Sequence, residues 1–202
     1  QMNPHFMFNV LNSIQGLFTI GKTEKANEVL SRFSDLMRSI LDVSDQNTIG
    51  LDKELEMIGL YLELEAVRFG EEFHYNVEVA AAIDPKKVQV PSLLIQPYVE
   101  NAVKHGLLHR KGDKNLSVSL ALTDNETMLE VRVDDNGIGR EKAATLRSEK
   151  HKSFASQAAS SRLDILNVEN TQKIGVEIID KKNEAANAIG TLVILRIPLS
   201  AK

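Results

Sequence analysis

The 202-residue sequence contains no cysteine, which excludes disulfides and thiolate metal sites and fits a reducing compartment. No apolar run approaches the ~20 residues of a membrane span, and no signal peptide is visible. Long basic runs are missing as well, and the net charge is −4, which argues against nucleic acid or an anionic membrane as the main partner. There is no internal repeat, no low-complexity tract and no G-x-x-x-x-G-K-S/T phosphate loop. What remains is an ordinary globular composition, 43% hydrophobic and 26% charged, with room for one or two domains of ~150 residues. A motif begins at once from Gln1, so a piece of a longer protein is expected, with any membrane anchor lying upstream.

The first seventy residues carry a helical period. Met7, Val10, Leu11, Ile14, Leu17 and Phe18 recur at three- and four-residue spacing, and Ala26, Val29, Leu30, Phe33, Leu36, Met37, Ile40 and Leu41 repeat it. Gly21-Lys22-Thr23 between them is short enough for an antiparallel hairpin. A third helix is expected with Asp52 and Glu54 near its start, a stripe of Leu55, Ile58, Leu62 and Phe69, and a stop at Gly70. Stripes this wide leave apolar surface that a second copy can bury in a four-helix bundle, or the rest of the same chain can cover it.

From Phe73 the period falls to two: Phe73, Tyr75, Val77 and Val79 alternate with His74, Asn76 and Glu78, a half-buried strand. A helix over Pro91 to His105 follows, then strands over Leu116 to Leu122 and Met128 to Val133. A helix around Arg162 to Asn170 and strands over Val176 to Asp180 and Thr191 to Pro198 complete the chain. The class is α+β, with a helical region over 1–70 and a mixed domain over 71–202. Ser153 to Ser161 is small and polar, the composition of a mobile loop.

Three elements carry candidate chemistry. In Val99-Glu100-Asn101-Ala102-Val103-Lys104-His105-Gly106, helical winding puts Glu100, Asn101, Lys104 and His105 on one face, where a carboxylate, an amide, an ammonium and an imidazole suit Mg²⁺ and phosphate. Val131 to Gly139 runs a strand into a D-x-G-x-G turn. There Asp135 can accept a bond from an exocyclic amine, and Gly137 and Gly139 let backbone approach a flat ring. Gly190-Thr191 opens the last strand with a hydroxyl able to support the same base. A solvated helix face and an Asn-Gly hairpin turn are the plainer readings of the first two taken singly.

In this order the three resemble the ATP-binding domain of the GHKL (Bergerat) superfamily, an α/β sandwich. The resemblance implies that Asn101 ligates Mg²⁺ and Glu100 organises chemistry beside it. It also implies that Lys104 and His105 lie near the phosphates, that Asp135 reads the adenine amine, and that Gly137, Gly139 and Thr191 shape the base pocket.

The opening run Gln1-Met2-Asn3-Pro4-His5-Phe6-Met7-Phe8-Asn9 narrows the choice. Asn3 before Pro4 is a good helix start, and His5 follows in the first turn with Asn9 one turn on. A neutral imidazole is a competent nucleophile toward phosphorus, which makes His5 a candidate acceptor, although a histidine beside Phe6 and Phe8 can equally be structural. This run, Leu64-Glu65-Ala66-Val67-Arg68-Phe69-Gly70 and Pro91-Ser92-Leu93-Leu94-Ile95-Gln96-Pro97 together resemble the LytS/YehU family of sensor histidine kinases over nearly the whole chain. That resemblance implies a homodimer, ATP with Mg²⁺, autophosphorylation of His5, and transfer to an aspartate of a response regulator, commonly of LytTR type. It implies no direct nucleic-acid binding, and a cytoplasmic region of a membrane protein anchored through the upstream part. Ser153, Phe154 and Arg162 match the family's nucleotide lid.

Two departures stand out. Phe6 occupies the place where many histidine kinases carry an acid, so the proton acceptor is unassigned. Ala155 replaces the usual lid glycine, which keeps open an alternative: a dimeric scaffold that binds ATP weakly or as a regulatory ligand.

Overall fold

Three helices open the chain, as the 3.6-residue period requires. In the computed structural model, which describes residues 4–123, 126–145, 167 and 173–199, α1 spans Pro4–Thr19, α2 Thr23–Val43 and α3 Leu51–Phe69. The α1–α2 turn is closed by the Lys22 amide donating to the Leu17 carbonyl at 2.9 Å. Gly70, at φ 69°, ends α3 and donates its amide to the Ala66 carbonyl. Val10, Ile14, Ala26, Val29, Leu36, Ile40, Ile58 and Leu62 of the expected stripes are buried. Leu11, Phe18, Leu30 and Leu41 of the same stripes are exposed, as are Phe8 and Ile20.

The second half is built on a five-stranded sheet of order β2-β4-β5-β7-β6. These strands are β2 Phe73–Val79, β4 Lys114–Thr123, β5 Met128–Asp135, β6 Gly175–Lys182 and β7 Ala188–Pro198. β2 pairs with β4 in parallel and the other pairs are antiparallel. The alternation decides which face is covered. Leu116, Val118, Leu120, Leu129, Val131, Val133, Val193, Leu195 and Ile197 are buried, while Glu130, Arg132 and Arg196 lie on the other face and pair in charge. One apolar cluster runs continuously from Phe6 of α1 to Ile197 of β7.

Two short strands escape the periodicity: β1 (Thr48–Gly50) pairs antiparallel with β3 (Gln89–Pro91), joining segments on either side of residue 70. Three residues are too few to display a period of two.

The helix expected from Pro91 is shorter than its sequence pattern. Pro91 ends β3, Leu93 has φ 54°, and α4 begins only at Gln96. The cause lies on α3. The fully buried Glu54 carboxylate accepts the amides of Leu93 (2.9 Å), Ile95 (2.9 Å) and Gln96 (3.2 Å), holding Leu93 to Gln96 in turns. After α4 (Gln96–Asn101) the chain widens into one π-helical segment, Ala102–Leu107, with the Leu108 amide reaching back five residues to the Val103 carbonyl at 2.9 Å. A further short helix, α5 (Arg140–Thr145), follows the D-x-G-x-G turn. The expected helix at Arg162 to Asn170 and loop at Ser153 to Ser161 lie outside the described residues, Asn167 apart.

Candidate functional site

Asp135 is the last residue of β5 and is 3% exposed. Register places it opposite Thr191 of β7 and Leu116 of β4, at the sheet's end. Its Oδ1 accepts the Gly137 amide at 2.7 Å and the Thr191 amide at 3.3 Å. Burial raises the carboxyl's pKa to about 6, against the two backbone donors and the nearby Lys181, which lower it. Two glycines are obligatory here. A Cβ on Gly137 would lie 2.4 Å from the backbone of Gly106, and the adjacent Ile138 amide donates to the Gly106 carbonyl at 3.0 Å. Gly190, at φ 142°, would drive a Cβ to 1.9 Å from the Asp135 carbonyl oxygen. Gly137 thus seats the turn on the π segment. Gly139 turns the chain at φ 78° into α5.

The second cluster forms where α1 meets α3 and α4. His5, Phe6, Tyr61, Glu65, Arg68, Glu100, Lys104 and Leu108 line a narrow cleft. Phe6 fills the floor, its ring centroid 4.9 Å from that of Tyr61, which explains an apolar residue after His5. His5 is exposed and its Nδ1 lies 3.1 Å from Asn9 Nδ2 one turn on, as their spacing implies. Glu100 is half-buried and its Oε1 accepts from Gln96 Nε2 at 2.9 Å. Burial pushes its pKa up, against Gln96 and Lys104.

Of the four polar residues expected on one helix face, two line this cleft. Glu100, Lys104 and Leu108 follow a four-residue spacing into the His5 cleft, whereas Asn101 and His105 are half-buried one step round and outside its lining. One residue turns an α-helix by ~100°, enough to separate the pairs. The π segment links the two clusters: it starts one residue after Asn101 and includes Gly106, which packs on the Asp135 turn. Ser153, Phe154 and Arg162 lie outside the described residues. So does Ala155.

Sequence reasoning missed the roles of Glu54, Tyr61, Glu65 and Arg68. Tyr61, Glu65 and Arg68 sit at i, i+4 and i+7 on α3, a signal legible as one helix face. Glu65 is 3% exposed, and burial raises its pKa to about 7, against Arg68 and the Tyr61 hydroxyl. No group of three or more acids or histidines that could hold a metal occurs among the described residues.

Comparison with known proteins fits this arrangement. The family model for histidine kinases matches residues 1–73. The sensor histidine kinase/phosphatase LytS of Staphylococcus aureus strain MRSA252 is 41% identical over 139 residues, 69% of this chain and 23% of the relative. The chain thus spans about a quarter of that protein's length. A histidine kinase domain from an Erythrobacter litoralis blue-light activated histidine kinase has the same fold at 18% identity, with TM-score 0.52, covering 97% of this chain and 93% of its own. The mycobacterial sensor histidine kinase MprB matches with TM-score 0.50 at 15% identity, over 74% of this chain and 96% of its own. The opening motif and the likeness to LytS agree: residues 1–73 belong to the histidine kinase family, and 69% of the chain is related in sequence to LytS.

Proposed function

We propose that this chain is the kinase region of a sensor histidine kinase, which binds ATP, transfers its γ-phosphoryl group to His5 and passes it to an aspartate of a response regulator. The observation that carries the reading is the cleft: His5 from α1, Glu100 from α4 and Lys104 from the π segment line one space, and the same π segment packs on the Asp135 turn.

The residues present fit ATP. Both backbone donors to the Asp135 carboxylate fall on Oδ1, which leaves Oδ2 to accept an exocyclic amine, as adenine offers. Gly137, Gly139 and Thr191 frame that point. Lys104 and His105 supply donors for phosphate oxygens, and Ser153, Phe154 and Arg162 serve as the lid over the nucleotide. Asn101 supplies an oxygen ligand for Mg²⁺, an ion that typically takes only one or two protein ligands beside phosphate and water. When bound, Mg²⁺ neutralises phosphate charge and lowers the barrier to transfer. Glu100 orders the acceptor side of the cleft, and Asn9 orients the His5 ring.

Residues 1–70 act as the dimerisation and phosphoacceptor region and 71–202 as the catalytic one. The exposed Phe8, Leu11, Phe18, Ile20, Leu30 and Leu41 on and beside α1 and α2 suit burial against a second copy, giving a homodimer. A LytTR-type regulator as partner, no direct nucleic-acid contact, and a cytoplasmic position below an upstream membrane anchor complete the proposal. No described helix is long and apolar enough to cross a membrane.

The test is incubation with radiolabelled Mg-ATP. An acid-labile, base-stable label is expected on the wild-type chain, absent from His5→Gln and from Asn101→Asp. Equal label on His5→Gln overturns the assignment.

A further inference from the structure

The cleft holds one arginine whose side-on edge makes an ion pair with Glu65 but no hydrogen bond among the described residues. Arg68 Nε and Nη2, the side-on fork of the guanidinium, are buried and make no hydrogen bond among the described residues. The same fork on Arg140 grips both oxygens of Asp180, at 2.8 and 2.6 Å. Arg68 Nη2 does lie 2.9 Å from Glu65 Oε2, close enough for an ion pair, but the two are misaligned and Glu65 Oε2 is also without a hydrogen bond. The Phe69 ring, 4.3 Å from the guanidinium carbon, holds the group in place.

A buried donor fork without hydrogen bonds is costly unless something with two oxygens fills it. The cleft that contains it also contains His5. We propose that Arg68 receives the phosphoryl group once it is on His5, with Lys104 as the second cation, so that α3 completes a phosphohistidine-holding site within the same chain. The inference rests on His5 as acceptor. In the step itself, the unprotonated ring nitrogen of His5 forms the N–P bond as the bond from phosphorus to the leaving oxygen of ADP breaks, and the proton on the other ring nitrogen leaves to water.

Two carboxylates, Glu65 and Glu100, face the same space, beside the Tyr61 hydroxyl. Glu65 tolerates an entering dianion because its carboxyl, raised to about pKa 7 by burial, takes up a proton and becomes a donor. Releasing Glu65 from Arg68 and filling the fork are then one event.

Phosphoramidate tests this without ATP, since it phosphorylates histidine directly with ammonia as the leaving group. The wild-type chain and its Arg68→Gln and Arg68→Lys variants are treated, and the phospho-His5 ³¹P resonance and lifetime at neutral pH are measured, native and denatured. The native wild-type resonance is expected to differ from the denatured one. Arg68→Gln should collapse that difference and shorten the lifetime about tenfold, the loss of ~1.4 kcal/mol. Arg68→Lys, with charge but no fork, should fall between. Equal lifetimes and resonances in wild type and Arg68→Gln overturn the proposal, as does a wild-type resonance unchanged by denaturation or a His5 that phosphoramidate never labels. Should Arg68→Gln fail to fold, Arg68→Lys decides by the same measure. A wild type unlabelled by Mg-ATP but showing the Arg68-dependent phosphoramidate signal removes the kinase reading and leaves this one standing.

Discussion

The two ends of α3 treat a buried glutamate in opposite ways. At the N-terminal end the Glu54 carboxylate accepts three backbone amides and pins the chain ahead of α4. At the C-terminal end Glu65 meets Arg68 at ion-pair distance with poor alignment, and Oε2 remains without a hydrogen bond. Both are inaccessible, at 0% and 3% exposure, so burial alone does not tell them apart. Saturation does. A carboxylate whose acceptors are filled by backbone organises the fold, and one left partly unfilled in the cleft that holds His5 is able to change partner.

The comparison breaks most sharply at Glu54. Glu54→Ala leaves three amides without acceptors and frees the strained Leu93, and we expect a loss of stability on the order of 3 kcal/mol by denaturant unfolding. α4 would lose its fixed start, so nucleotide affinity should fall as well. A loss below ~1 kcal/mol would mean that water replaces the carboxylate easily.

Glu65 should show its difference in pH dependence. Its folded pKa of about 7 lies above the ordinary carboxylate value, so the protonated form favours the fold. The stability it contributes is fully present below the unfolded pKa near 4.5 and is lost as pH rises through about 7. Relative to Glu65→Gln, which cannot ionise, the wild type should lose on the order of 3 kcal/mol between pH 4.5 and pH 8. Parallel stability–pH curves for the two proteins would show that Glu65 titrates normally.

The smallest effect belongs to Arg140. Its fork is satisfied by Asp180, but the side chain is half-exposed, and Arg140→Gln should change stability by under ~1 kcal/mol. Its phospho-His5 lifetime should match the wild type, against the tenfold change expected at Arg68. A comparable drop at Arg140 would mean that loss of any arginine fork disturbs the cleft.

Much of the frame is legible in the residues. The hairpin at Gly21, the stop at Gly70, the strand at Phe73–Val79 and the β4–β5 pair all follow from period and turn chemistry, because local backbone preference and one buried face determine them. Asp135 and Gly137 were readable as a turn with a poised carboxylate. That Gly137 is required by the backbone of Gly106 was not, since the two are thirty-one positions apart in the chain. The start of α4 was misjudged for a similar reason: the apolar spacing from Pro91 suits a helix, but the amides there are claimed by a carboxylate some forty residues earlier.

Read alone, the chain determines its first three helices, the strands of its five-stranded sheet, the histidine at the head of α1 and the acid at the end of β5, because each depends on neighbours a few residues away. The tertiary structure alone decides that Glu100 and Lys104 turn toward His5 while Asn101 and His105 do not, and that Arg68 enters the same cleft. Such choices arise from packing three helices against one another. Which side of a helix faces a partner, and which polar groups are left unfilled there, depends on surfaces brought together from distant parts of the chain.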